Sequence, residues 1–292
     1  MFTPQYLNLV NSSFLLFLEH QILEKGSGFV TGVNSRYYPI GRTYNNYYVY
    51  ASPVQPQICD ESITSPMTGV YVGSTFYQRG EGNFVDIDYK NNRTIFNAPV
   101  NNVSGIFPLN DINILSLDIS EEKLLFETKL KLRNQNSNII PSNYTGLLND
   151  EKSYPAIYVK SEGLVNKPFA FGGQDETAVN VGVFIFSDSK YQLDSVCSII
   201  NDMKLEYFAL LTPDKMPFNV FGGLKNTGNN YNYTTLNTGY LAQNSGVYIR
   251  DVTINYFNRF YSADFMKMNP DVYYAIGEFD LCRPRLSRQG GI

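Results

Sequence analysis

From about Tyr44 to Arg133 the apolar residues recur at every second position, in successive short runs: Asn46 to Ala51, Val70 to Tyr77, Phe84 to Tyr89, Arg93 to Asn97 and Lys123 to Arg133. A period of two sends alternate side chains to opposite faces, so each run reads as a half-buried strand. In the last run Leu124, Phe126, Thr128, Leu130 and Leu132 share one face. Asn91-Asn92 sits between two of the runs. Asn tolerates the positive φ of a tight turn, so residues 84 to 97 are expected to form a hairpin.

Elsewhere the period changes. Near the start Leu7, Val10, Phe14, Phe17 and Leu18 recur at helical spacing, Thr3 can cap, Pro4 suits the first turn and Gly26 ends the pattern. Asn134 to Asn149, polar and holding Pro141, reads as a linker. Beyond it, Tyr154 to Lys160 and Thr177 to Ser187 read as strands, the second apolar on both faces in its latter half, as a central strand is. Ser189 and Gln192 form a capping-box signal for a helix carrying Leu193, Val196, Cys197 and Ile200 to about Met203, and Leu205 to Leu211 returns to strand. Strand, helix, strand is the clearest unit; were its strands parallel, the crossover would be right-handed. Gly222 to Tyr240, rich in Gly, Asn and Tyr, is expected to be an irregular loop, followed by strands Val247 to Tyr261 and Val272 to Leu281.

The fold class expected is therefore mixed α/β (α+β): a mixed β-sheet flanked by an N-terminal helix and a second helix near 190–203, with an additional β-rich region at about 45–135. The organisation expected is an N-terminal helix and connection (1–44), an inserted or appended β-rich region (45–135), a linker (136–149), a mixed α/β domain (150–282) and a C-terminal arm (283–292). The arm holds Arg283, Arg285 and Arg288 and no acid.

Composition excludes several functions. The 292 residues carry a net charge of -4, with no concentrated basic face for phosphate neutralisation. The apolar run Phe14 to Leu18 is too short for a membrane span or a signal core, so no membrane partner is expected. Cys59, Cys197 and Cys282 are widely spaced with no C-x-x-C, which reads as buried thiols. Five N-x-S/T sequons (Asn11, Asn92, Asn102, Asn143, Asn232) follow from the 31 asparagines. Charged residues are only 17% of the chain, beside 23 Tyr, 20 Phe and no Trp. A chain polar through amides and hydroxyls suits strands, Asn turns and wet protein interfaces.

Candidate sites resolve mostly to structure. His20 is the only histidine, and no carboxylate is placed to orient it, so it reads as a core or helix-surface residue. Asp86 and Asp88 share a strand face and could offer oxygens to Ca²⁺, but no ligand-rich loop follows, so a solvated face is expected. Phe169-Ala-Phe-Gly-Gly and Phe218-Asn-Val-Phe-Gly-Gly lack the context of a phosphate loop and read as close-approach turns. Glu121-Glu122 and Asp175-Glu176 are adjacent pairs that cannot form an acid/base dyad alone. Tyr37-Tyr38, Tyr47-Tyr48 and Tyr273-Tyr274 lack the basic groove that base stacking needs. No catalytic residue, metal site or cofactor is expected. Arg283, Arg285, Arg288, Tyr231, Tyr233 and Tyr240 are expected at an interface.

Three stretches carry a resemblance. They are Val85-Asp-Ile-Asp-Tyr-Lys-Asn-Asn-Arg-Thr-Ile-Phe leading to Leu124-Leu-Phe-Glu-Thr-Lys; Tyr154-Pro-Ala-Ile-Tyr-Val through Asn166-Lys-Pro-Phe-Ala-Phe-Gly-Gly to Val183-Phe-Ile-Phe-Ser-Asp-Ser-Lys-Tyr-Gln-Leu-Asp; and Arg250-Asp-Val through Met268-Asn-Pro-Asp-Val-Tyr-Tyr to Leu281-Cys-Arg-Pro-Arg. Over about two thirds of the chain these resemble virion structural proteins of tailed bacteriophages, of the neck or tail-completion (tail terminator) type. The resemblance implies a non-enzymatic homo-oligomer in a hexameric or dodecameric ring, joining head to tail beside other neck, portal-adaptor, tail-tube or sheath proteins. It implies DNA passing through the lumen without specific binding, and a place in the virion after assembly in the host cytoplasm. The alternatives are a tail-tube, sheath-initiating or capsid-associated virion protein, or a host-surface or carbohydrate binding module. An enzyme stands third, for want of a convergent titratable cluster.

Overall fold

A computed structural model describes residues 6–44, 47–54, 56–116, 155–170, 174–225, 231–242, 246–256 and 273–285. The strand expected at Lys123 to Arg133, the linker 136–149, Thr3, Pro4 and Arg288 lie outside these residues. The fold is mixed α/β, built on two sheets and, among the described residues, three helices.

The first sheet is antiparallel throughout. It comprises β1 (Phe29–Tyr44), β2 (Tyr47–Ala51), β3 (Gly69–Val72), β4 (Thr75–Gln78), β5 (Phe84–Asp88), β6 (Arg93–Phe96) and β7 (Val103–Asn110), in the order β4-β3-β7-β1-β2-β6-β5. β1, expected as a connection, is the strand that holds this sheet together: Phe29 to Tyr37 pair with β7, and Tyr38 to Tyr44 pair with β2. Its register shifts between Val30 and Val33, where Gly32 has φ +73°, and again between Pro39 and Thr43. Those bulges break the alternation, so the sequence hides the strand. The run Val70 to Tyr77, expected as one strand, is the β3–β4 hairpin, turning at Gly73 with φ +63°. The hairpin expected at 84–97 is β5–β6, with Asn92 at φ +44°. Asn92 is fully buried. Its side chain accepts from Tyr37 Oη at 2.6 Å and donates to the Val54 carbonyl, so one amide fixes the turn to β1 and to the segment after β2.

The second sheet runs β11-β12-β13-β10-β9-β8, from β8 (Asn113–Ser116), β9 (Ala156–Ala170), β10 (Gln174–Ser187), β11 (Tyr207–Ala209), β12 (Gly246–Tyr256) and β13 (Tyr273–Arg285). Only β8 and β9 pair in parallel. Helix α2 (Lys190–Asn201) follows β10 as its apolar spacing implies, burying Leu193, Val196, Cys197 and Ile200. Ser189 is the N-cap residue, as expected, but makes no side-chain cap bond; the Ser187 hydroxyl accepts from Ser189 N at 3.2 Å and donates to Gln192 Oε1 at 3.1 Å. Nor is strand–helix–strand a parallel unit. α2 carries the chain past β13 and β12 to the edge strand β11, which runs antiparallel to β10.

Helix α1 (Tyr6–Gly26) sits at the centre. Val10 to Leu18 are nine consecutive buried residues, so the helix is enclosed on all sides and not by one stripe. Phe14 meets Phe279 of β13 edge-on at 4.9 Å, and Phe17 stacks on Phe208 of β11 at 5.3 Å. Ser13 Oγ accepts from Leu211 N at 2.9 Å. On its other side Glu19 accepts from Asn110 Nδ2 at 3.3 Å, at the end of β7.

The Phe218-Asn-Val-Phe-Gly-Gly segment is the close-approach turn that its glycines imply, and it joins the two sheets. Gly222 has φ +83°, and a Cβ on Gly223 would lie 2.1 Å from Asp86 Oδ1 and 2.8 Å from the Ile87 carbonyl on β5. Asn219 Oδ1 accepts from Phe221 N and Gly223 N, while its Nδ2 donates to Asp86 Oδ2 at 2.6 Å. Phe221 meets Tyr47 of β2 edge-on at 5.4 Å. Gly223→Ala should therefore destabilise the protein by about 1–3 kcal/mol in chemical denaturation. Gly163→Ala on β9, where nothing lies within 4 Å of the added methyl, should change it by less than about 0.5 kcal/mol.

Candidate functional site

Several titratable groups gather into joints between elements. Around Asp60, the His20 Nδ1 lies 2.8 Å from Oδ2, while Oδ1 accepts from Ser62 Oγ at 2.6 Å, Ser62 N at 3.0 Å and Tyr233 N at 3.0 Å. Tyr233 opens α3 (Tyr233–Leu241), so Asp60 ties the middle of α1 to the first turn of α3. Burial alone would raise the Asp60 pKa, but the bonds from His20, Ser62 and the Tyr233 amide outweigh it and hold the carboxyl below its ordinary value. A carboxylate only accepts, so His20 Nδ1 carries the hydrogen in this contact. Ser62 Oγ lies 3.5 Å from the same nitrogen and gives its own hydrogen to Asp60, which leaves His20 no vacant base facing the hydroxyl. These three residues make a lock and not a nucleophile.

Asp86 and Asp88 depart from the expected solvated face: both are buried. Asp86 is covered by the 217–225 turn and faces Arg79 Nε at 3.4 Å, and Asp88 accepts from the Asn91 side chain at 2.8 Å within its own hairpin. Burial dominates at both and pushes their pKa values up. Strand alternation is the same whether the alternate face meets water or protein, so the sequence could not distinguish the cases. A third joint spans β10, β12 and β13: Arg250 pairs with Glu176 and Asp280, and Tyr248 Oη donates to Glu176 Oε2 at 2.7 Å. Among the described residues no three His, Cys, Asp or Glu side chains converge as metal ligands, and no helix is long and apolar enough to cross a membrane.

Five of the six residues expected at an interface are described, all but Arg288. Tyr231 and Tyr233 are buried, and Tyr240 packs against the core. The segment expected as an irregular loop contains α3, whose Tyr, Thr and Asn composition masks a helix capped by Asn232 Oδ1 on Thr235 N at 2.9 Å. Arg283 and Arg285 do not belong to an arm. They extend β13, opposite Thr177 and Asp175 of β10. Four asparagines are used inward: Asn92, Asn110, Asn219 and Asn237 each bond backbone, the last accepting from Ala209 N at 2.7 Å.

Accessible apolar surface lies elsewhere. On the outer face of the first sheet one row crosses four strands, Phe76, Tyr71, Ser104 and Arg36, with Ile106 two residues along β7 from Ser104. Phe76 and Tyr71 touch at 5.0 Å, and Phe76 and Ile106 are 41% and 51% exposed. At the margin of the second sheet Leu205 and Tyr207 are exposed, Tyr207 lying against Tyr248 at 5.8 Å. The sequence signal for the first patch was the aromatic pair across the Gly73 turn.

Compared with known proteins, the sequence matches no family model and no characterised protein.

Because the folded Asp60 pKa lies below the unfolded one, its contribution is complete above the unfolded value, about 4, and is lost as pH falls through the folded value. Asp60→Asn should cost about 2–4 kcal/mol in urea titrations near neutrality. The gap from wild type should narrow below pH about 4. A gap independent of pH would show that the charge on Asp60 carries none of it.

Proposed function

We propose that this chain is a non-enzymatic structural subunit of a tailed-bacteriophage virion, in the neck or tail-completion ring that joins head to tail. The observation that carries the assembly reading is the contrast between its two kinds of side chain. Its buried acids and its histidine are engaged in joints between its own elements, while Phe76, Tyr71, Ile106, Leu205 and Tyr207 are presented outward. A surface of that kind suits protein contacts. The neck assignment rests on the sequence resemblance, and the net charge of -4 is in keeping with a lumen through which DNA slides without phosphate binding.

Mass photometry and negative-stain imaging of the purified chain should show closed rings of six or twelve copies, and mass spectrometry of purified virions should contain it. A monomer at every concentration, absent from virions, overturns the proposal. A monomer that binds glycans or host cells favours a binding module instead.

A further inference from the structure

The turn that follows α2 combines three local costs. Leu205 holds φ +67°, a conformation that a bulky side chain adopts at an energetic penalty, and is held there by the hydrogen bond its N–H donates to the Ile249 carbonyl at 2.8 Å. The same leucine is 67% exposed. Asp202 caps the C-terminal end of α2, where the helix dipole disfavours an acid, and it is exposed with no side-chain partner among the described residues. Glycine at 205 and a base at 202 would relieve all three. Beside them Glu206 and Asp251 pair with Lys25 and Lys204 at 2.8 Å and 2.7 Å, and Tyr207 lies 59% exposed.

The outer row of the first sheet supplies the complement. Phe76, Tyr71 and Ile106 are apolar and exposed, Arg36 is exposed in the same row, and β1, β3, β4 and β7 hold no Asp or Glu among them. We infer that the Leu205 turn of one copy docks on this face of a second copy of the chain. Leu205 and Tyr207 cover Phe76, Tyr71 and Ile106, and Asp202 approaches Arg36. The contact is head-to-tail, because the two surfaces differ and belong to different sheets, so each copy keeps one surface free for the next. The inference deepens the assembly reading and rests on it. Desolvated apolar anchors beside an ion pair are what a specific protein contact uses.

Two variants test it. Leu205→Gly suits the positive φ and removes the anchor; Ile106→Glu places an acid on the receiving face. Each should fold and run as a monomer in mass photometry where wild type assembles, and Leu205→Gly should melt at or above the temperature of Ile106→Glu, the other monomer, since assembly itself raises the wild-type melting temperature. An equimolar mixture of the two should give dimers and nothing larger, because one intact surface of each kind remains. If wild type assembles and either variant still forms rings, this contact is wrong while the assembly reading stands. If wild type is monomeric at all concentrations, both fall. If Leu205→Gly melts well below monomeric Ile106→Glu, Leu205 serves the fold and the inference is overturned.

Discussion

Enclosure of α1 is the constraint on which the rest of the molecule depends. A helix with nine successive buried residues needs apolar partners around its whole circumference, and no single sheet face supplies that. The second sheet gives Phe208 and Phe279 on one side. The segment around Asp60 and the end of β7 close another, where Glu19 and His20 can be tolerated only because Asn110 and Asp60 meet them. The two sheets are thus fixed to one another through a shared helix, through the Asp60 lock and through the Gly223 turn against Asp86.

This arrangement accounts for the low charge. Where acids occur in the interior they are bonded, and burial drives the carboxyl groups of Glu19, Asp86 and Asp88 upward, so each exacts a cost at neutral pH that the joint must offset. Amides do the same bonding without a charge to desolvate. Asn92, Asn110, Asn219, Asn232 and Asn237 serve as neutral clips on backbone.

What could be read from the sequence follows from whether the signal was local. The β5–β6 hairpin, α2 and the glycine turn at 222–223 were legible, since Asn at positive φ, apolar spacing and close backbone approach are properties of a few adjacent residues. β1 was not, because its bulges interrupt the alternation, and α3 was not, because its burial and its cap come from Asp60 and Asn232 and not from an apolar stripe. The antiparallel placement of β11 depends on β12 and β13, some 40 or more residues further along. Nor does anything in the letters mark Leu205: its φ is set by the ladder to Ile249. Burial of Tyr231 and Tyr233 is equally tertiary, and nothing in the letters separates a buried tyrosine from an exposed one.

The position of α1 in the chain has a consequence for biosynthesis. Phe14 and Phe279, in contact when folded, are separated by 265 residues (279 minus 14), which a ribosome adds in roughly 13–50 s at about 5–20 residues per second. For the first 194 of those residues (208 minus 14) the Val10 to Leu18 stretch has neither Phe208 nor Leu211 to pack against, and it gains Phe279 only at the end. The nascent chain carries an apolar segment that its own completed sheet has yet to shelter.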